Sequence, residues 1–175
     1  MVVAMLPGRV RFGPGLWSST GCCPFCIDGG SQHHDQGMTS TITAHSSTEL
    51  LSLIPYLVGH HISEGAVALL CEGRRVHLTL RFPTNVLDDP DPVLHHFEAT
   101  LEAMRHPRVF LAGFGPAEQA HALLDLLEPR VESSRLIDSV ITNGERWWSR
   151  RCEVCCTDEG MACDPASPAA VAAIV

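Results

Sequence analysis

The chain has 175 residues, of which 45% are hydrophobic and 18% charged, enough to bury one ordinary core and too apolar for wholesale disorder. Asp and Glu number 20 against 12 basic residues, all Arg, and the net charge of −8 argues against a general nucleic-acid coat and against docking on an anionic membrane, since both need a positive field. No stretch approaches the roughly 20 apolar residues that cross a bilayer, and the run from Val2 to Leu6 is too short for a signal-peptide core, so the chain reads as cytoplasmic.

Residues 1–37 are irregular in texture, with scattered Gly, clustered Cys and paired His and no helix or strand period. Met38-Thr-Ser-Thr reads as an ordinary protein start, which places 1–37 upstream of the natural start and makes 38–175 a single α/β domain. Ser46-Ser47-Thr48-Glu49 is a capping box. Leu50, Leu51, Leu53 and Ile54 follow as an apolar face, and Pro55 with Gly59 ends or kinks that helix near Leu57. Ala66 to Cys71 is a continuous apolar run, the pattern of a buried strand. After the Glu72-Gly73-Arg74 turn, Arg75 to Phe82 alternates, with Val76, Leu78, Leu80 and Phe82 on one face, as in a half-exposed hairpin partner.

Asp91-Pro92 predicts an N-cap followed by proline at the first helical position, with Leu94, Phe97, Leu101 and Met104 as the buried stripe. Val109 to Ala112 is a further strand, Ala120 to Leu127 a further helix, and Ser134 to Thr142 a last strand with Leu136, Asp138, Val140 and Thr142 on one side. Helical crossovers of this length make the last three strands parallel, with the first hairpin strand antiparallel beside them. The expected fold class is α/β: a mixed sheet of about four to five strands with two to three packed helices.

The chemically loaded segment runs from Glu145 to Cys163. Adjacent Trp147 and Trp148 on an extended chain point opposite ways, so one can pack on the core while the other meets solvent or a partner. Cys152 and Cys155 have zinc-knuckle spacing, with Cys156 and Cys163 as further thiolates. The plainer reading is a loop of reduced thiols that locks the Trp pair in place, as expected of eight cysteines in a reducing compartment. Cys22, Cys23, Cys26, His33 and His34 form a second, weaker metal-like cluster. Gly113-x-Gly115 stands where a strand meets a helix, but Pro116 removes a donor and Glu118 repels an anion, so a tight turn is favoured over a phosphate cradle. His95, Glu98 and Glu102 share a helix face that reads as solvated, and His60-His61 has no partner identifiable from sequence. No G-x-S-x-G, H-E-x-x-H or P-loop occurs.

Glu49-Leu-Leu-Ser-Leu-Ile-Pro-Tyr-Leu-Val-Gly59, Leu78-Thr-Leu-Arg81, Arg146-Trp-Trp-Ser149, Cys152, Cys155-Cys156, Glu159-Gly160 and Ser167-Pro-Ala-Ala-Val171 together resemble the bacterial family called domain of unknown function 4192, known chiefly from actinobacteria and their phages. The resemblance spans residues 46–175, and Arg-Trp-Trp-Ser with the Cys pair is its most specific part. The chain departs at Glu145, where Gly is usual, at Arg150, which replaces an aromatic, and at Thr157, where Pro is usual. It stops inside the helix begun at Ser167, as a short or truncated member would. The resemblance implies no activity, catalytic residue or cofactor.

These readings combine into a binding or interaction module, with Arg146, Trp147, Trp148 and Ser149 as contact surface and Cys152, Cys155, Cys156 and Cys163 as candidate zinc ligands. The partner would be a protein or small molecule, with neither nucleic acid nor membrane expected. One alternative is a small-molecule enzyme with a pocket near Gly113, Gly115, Asn143 and Arg146; another is a truncated remnant without activity.

Overall fold

The capping box forms at the start of the first long helix. The Ser46 hydroxyl accepts the Glu49 N–H at 3.2 Å, while the Glu49 carboxylate accepts from the His45 N–H at 2.6 Å rather than from Ser46. In the computed structural model, which describes residues 2–4, 10–12, 42–152 and 159–163, strands β1 (Val2–Ala4), β2 (Val10–Phe12) and β3 (Ile42–Ala44) precede helix α1 (Ser47–Val58). Strands β4 (Gly65–Glu72) and β5 (Arg75–Phe82), helix α2 (Asp91–Ala103), strand β6 (Arg108–Phe114) and helix α3 (Ala117–Leu127) follow. The order closes with β7 (Leu136–Thr142), β8 (Arg146–Ser149) and β9 (Met161–Ala162). Pro55 is accommodated inside α1, which runs on to an αL C-cap at Gly59. At α2 the helix begins one residue earlier than expected: Asp91, the expected cap, is the first helical residue and Pro90 is the cap.

All nine strands among the described residues join one mixed sheet in the order β3-β2-β5-β4-β6-β7-β8-β9, with β1 also on β5. The α/β class is as expected. The strand count is higher because the added strands are two to four residues long, too short for an alternation to show in sequence. β4 is antiparallel to both β5 and β6, and β6 is parallel to β7. The three crossover-linked strands therefore run the same way as expected, but β4 lies between β5 and β6, so the α2 crossover passes over it.

Two apolar layers enclose the sheet. Leu50, Leu53, Ile54 and Leu57 of α1 pack with Val67, Leu69, Phe110 and Val140 on one face. Phe97 and Leu101 of α2 and Leu123, Leu124 and Leu127 of α3 pack with Ala68, Leu70, Leu80 and Leu111 on the other. This double cover explains the unbroken apolar run of β4, since a strand buried on both faces has no polar side.

Two bulges overturn the expected alternations. In β5 the register steps from Leu70↔Leu78 to Cys71↔Val76, leaving His77 unpaired with β4. Val76 consequently faces α1, while Leu80 and Phe82 face α2 and α3. In β7 the register steps from Val109↔Leu136 to Phe110↔Asp138, which sends Leu136 to the α2/α3 layer and Val140 to the α1 layer. An extra residue in one strand shifts every later side chain to the opposite face. The region 1–37, read as irregular, contributes β1 and β2 at the outer edge of β5.

Candidate functional site

The described part of the Trp/Cys segment folds onto the edge of the sheet as two short strands. The Asn143 side chain accepts the N–H groups of Glu145 and Arg146 at 3.0 and 2.8 Å, closing a tight turn between β7 and β8. β8 then pairs antiparallel with β7, placing Trp147 opposite Thr142 and Trp148 opposite Ile141. Successive side chains of a strand face opposite sides, and the two indoles divide accordingly. Trp147 is 3% exposed within the α1 layer, and its ring N–H donates to the Thr48 hydroxyl at 3.0 Å. Trp148 is half-buried on the other side. The expectation of one core-facing and one outward indole holds, and Trp147, named above as contact surface, is a core residue.

Beneath β8, Asp138 is the charged group at the centre of the α1 face. It is 3% exposed and accepts from the Ser149 hydroxyl at 2.8 Å, the Ser139 N–H at 2.9 Å and the Ser47 hydroxyl at 3.1 Å. One carboxylate thus ties together the first turn of α1, β7 and β8. Burial pushes its pKa above the ordinary carboxylate value, opposed by the three hydrogen bonds and by the charge of Arg151. On the opposite face the neighbouring residues repeat the arrangement. The Ser139 hydroxyl donates to Glu128, and the Arg150 guanidinium reaches Glu128 at 3.1 Å, Asp125 at 2.5 Å and the His121 carbonyl at 3.2 Å. Arg151 donates to the Leu136 carbonyl.

The segment returns through β9, with Trp147 opposite Met161 and Arg146 opposite Ala162. The Arg146 guanidinium donates to the Glu159 and Gly160 carbonyls at 2.8 and 2.9 Å. Gly160, at φ +71°, lies against the Trp148 ring so closely that a Cβ there would stand 2.5 Å from Cε2. Cys163 is half-buried, 3.5 Å from the Thr142 hydroxyl, and burial pushes its thiol pKa up. Cys152, expected as a free thiol or metal ligand, is disulfide-bonded; the free cysteines among the described residues are Cys71 and Cys163. A metal takes thiolates, whereas Cys152 is oxidised. Cys155, Cys156, Cys22, Cys23, Cys26, His33, His34 and the chain from Ser167 lie outside the described residues. Among the described residues no group of three His, Cys, Asp or Glu is placed to hold a metal.

The other candidates have local explanations. A Cβ at Gly113 would meet Ala120 and Leu124 of α3 at 3.0 and 3.2 Å, and Gly115, at φ +98°, abuts Glu64, so the Gly-x-Gly pair serves close packing and a tight turn. His95 is exposed, Glu98 pairs with Arg130 at 2.7 Å and Glu102 is exposed. Arg81 donates to His60 Nε2 at 2.9 Å, which requires that nitrogen to be unprotonated. A cleft of about 570 Å³ lies between α2 and α3, lined by Leu101, Val109, Leu126 and Val131 with a charged rim. It sits at the end of the sheet opposite Gly115 and Asn143. Sequence reading did not single out Ser47, Thr48 or Asp138. The available signal was an acidic residue inside an otherwise core-compatible strand, which has to be hydrogen-bonded if buried.

No helix among the described residues is long and apolar enough to cross a membrane. A family model described as Domain of unknown function (DUF4192) matches residues 48–175. No curated protein and no solved structure matches the chain.

Proposed function

The chain belongs to the DUF4192 family, whose description assigns no activity, and on that footing we propose that it is a binding or interaction module whose contact surface is the outer edge formed by β8 and β9. The carrying observation is the division of labour within Arg146–Ser149. Trp147, Ser149 and the Arg146 guanidinium face inward or grip backbone carbonyls, anchoring the segment. Trp148 stays half-buried on one side of the edge, and Met161, 41% exposed, on the other. Large, stiff or soft apolar side chains on a rigid edge are favoured contact groups, and the proposed partner is a protein.

The enzyme alternative draws less support. Asn143 closes its own turn, Arg146 holds the return strand, and the glycines serve packing, so these groups do not converge on a cavity. Zinc on Cys152, Cys155, Cys156 and Cys163 would brace the same edge only after reduction of the Cys152 disulfide. The test is differential capture by the full chain. Trp148→Ala with Met161→Ala should lose the proteins retained by the wild type while keeping its thermal melt. An unchanged set of retained proteins would end this reading. Zinc content of reduced wild type against Cys163→Ser decides the brace.

A further inference from the structure

The position of the cleft between α2 and α3 follows from the topology. α2 leads into β6 and α3 into β7, and those strands are parallel. Both helices therefore run against the strands and end on the same side of the sheet. The cleft lies between these two helix ends and the turn Glu128–Arg130 that follows α3. Its floor is aliphatic: Leu101, Val109 and Val131 are each less than 9% exposed, and Leu126 forms a half-buried wall. Its volume of about 570 Å³ is within the range of roughly 300–1,000 Å³ that holds a small molecule.

The charges at this cleft oppose the helices that carry them. Glu102 stands in the last turn of α2 and Asp125 in the last turn of α3, and neither turn contains a basic residue. A helix C-terminus is a negative pole, which favours cations and is destabilised by acids. Glu98 lies four residues before Glu102 on the same helix, a like-charge spacing that destabilises further. The arginines here are already engaged. Arg130 meets Glu98 at 2.7 Å, joining the two walls, and Arg135 meets Glu132 at 3.0 Å. Asp125 receives Arg150 at 2.5 Å, but that guanidinium is shared with Glu128 at 3.1 Å. Exposed Glu102 forms no ion pair among the described residues. The lining thus presents four acids, Glu98, Glu102, Asp125 and Glu132, against Arg130 and Arg135.

We propose that this cleft binds a small organic cation, a protonated amine on a compact aliphatic body. The body covers the Leu101, Val131 and Leu126 surface, and the ammonium lies towards Glu102 and Asp125, where it offsets the repulsion at both helix ends. Charge complementarity selects a cation over an anion, and the aliphatic floor selects an organic one. A bare metal ion needs several converging ligands, and no group of three His, Cys, Asp or Glu is so placed among the described residues. The unfavourable acids fit a site in which local stability yields to binding. None of these groups belongs to the β8–β9 contact surface, so either proposal can fail alone.

An NMR titration of the full chain tests it, with three probes on one ring: cyclohexylamine, cyclohexanol and cyclohexanecarboxylate. Cyclohexylamine should shift the amides of Leu101, Leu126 and Val131 saturably in the millimolar range, cyclohexanol more weakly, and the carboxylate not at all. Glu102→Gln should weaken the amine about threefold to fivefold, the scale of one partly exposed ion pair, and should raise the melting temperature of the free chain. Leu126→Ala should weaken amine and alcohol alike. Asp88→Asn, on the β5–α2 loop, should change neither. Equal response to all three probes overturns the proposal, as does amine binding that Glu102→Gln leaves unchanged. A loss in Asp88→Asn equal to that in Glu102→Gln would reduce the effect to general attraction by an acidic chain and overturn it too. Tighter binding of Nα-acetyl-lysine methylamide than of cyclohexylamine would assign the cleft to a lysine side chain of a partner protein and overturn the free amine.

Discussion

The Trp147 indole N–H donates to the Thr48 hydroxyl at 3.0 Å across 99 positions of sequence. That bond joins the edge strand to the first turn of α1, and it places the more buried half of the Trp-Trp pair in the core. Replacing Trp147 with Phe keeps most of the apolar volume and removes the donor, so it should cost about 1 kcal/mol. Replacement with Ala should cost about 3–5 kcal/mol. Urea unfolding measures both; equal losses would mean the hydrogen bond and the ring volume are not separable as described.

Asp138 gives stability a pH signature of definite sign. Its folded-state pKa lies above the ordinary 3.8, so between those two values the folded protein binds more proton than the unfolded chain. Stability from this group is therefore greatest below the unfolded pKa, falls as pH rises toward the folded pKa, and is level above it. Asp138→Asn should remove that slope. The difference in unfolding free energy between wild type and variant, followed from acid to neutral pH, reads it directly. A difference that moves in the wild type's favour as pH rises would refute the assignment.

Gly160 should not tolerate a side chain. Its positive φ and the 2.5 Å approach a Cβ would make to Trp148 together predict a loss of about 1–3 kcal/mol for Gly160→Ala. The substitution should also displace the Trp148 ring, seen as faster acrylamide quenching of tryptophan fluorescence. If quenching and stability are both unchanged, β9 does not support that indole.

The two free thiols among the described residues should react in a fixed order. Cys71 is fully buried with its pKa raised well above 9.0 by desolvation, and Cys163 is half-buried with a smaller rise of the same cause. Thiolate is the reactive form, so in native protein at mildly alkaline pH iodoacetamide should label Cys163 before Cys71. Peptide mapping by mass spectrometry gives the order, and prior labelling of Cys71 would show that its burial is transient.

Salt should matter little to the Arg150 anchorage compared with an exposed ion pair. The Arg150 side chain is 18% exposed and engages Asp125, Glu128 and the His121 carbonyl. Arg150→Leu should destabilise by about 1–3 kcal/mol at low and physiological ionic strength alike. A loss that vanishes in salt would place this network with ordinary surface pairs.

What was legible in sequence is what neighbouring residues decide among themselves. Ser46 and Glu49 are three positions apart, so the start of α1 could be read from its cap; the helical stripes of α2 and α3 and the apolar run of β4 are likewise local patterns. Short connections and helical crossovers also determined the strand directions, because handedness and reach leave few alternatives. The tertiary structure alone decided that β4 lies between β5 and β6, that bulges at His77 and Ile137 reverse later faces, and that Asp138 is the hub beneath Arg146–Ser149. Each depends on partners far along the chain: Asp138 meets Ser47 across 91 positions. A two-residue alternation establishes that a strand has two sides, but which side is buried is set by the layers that later pack against it, and no local residue pattern contains that information.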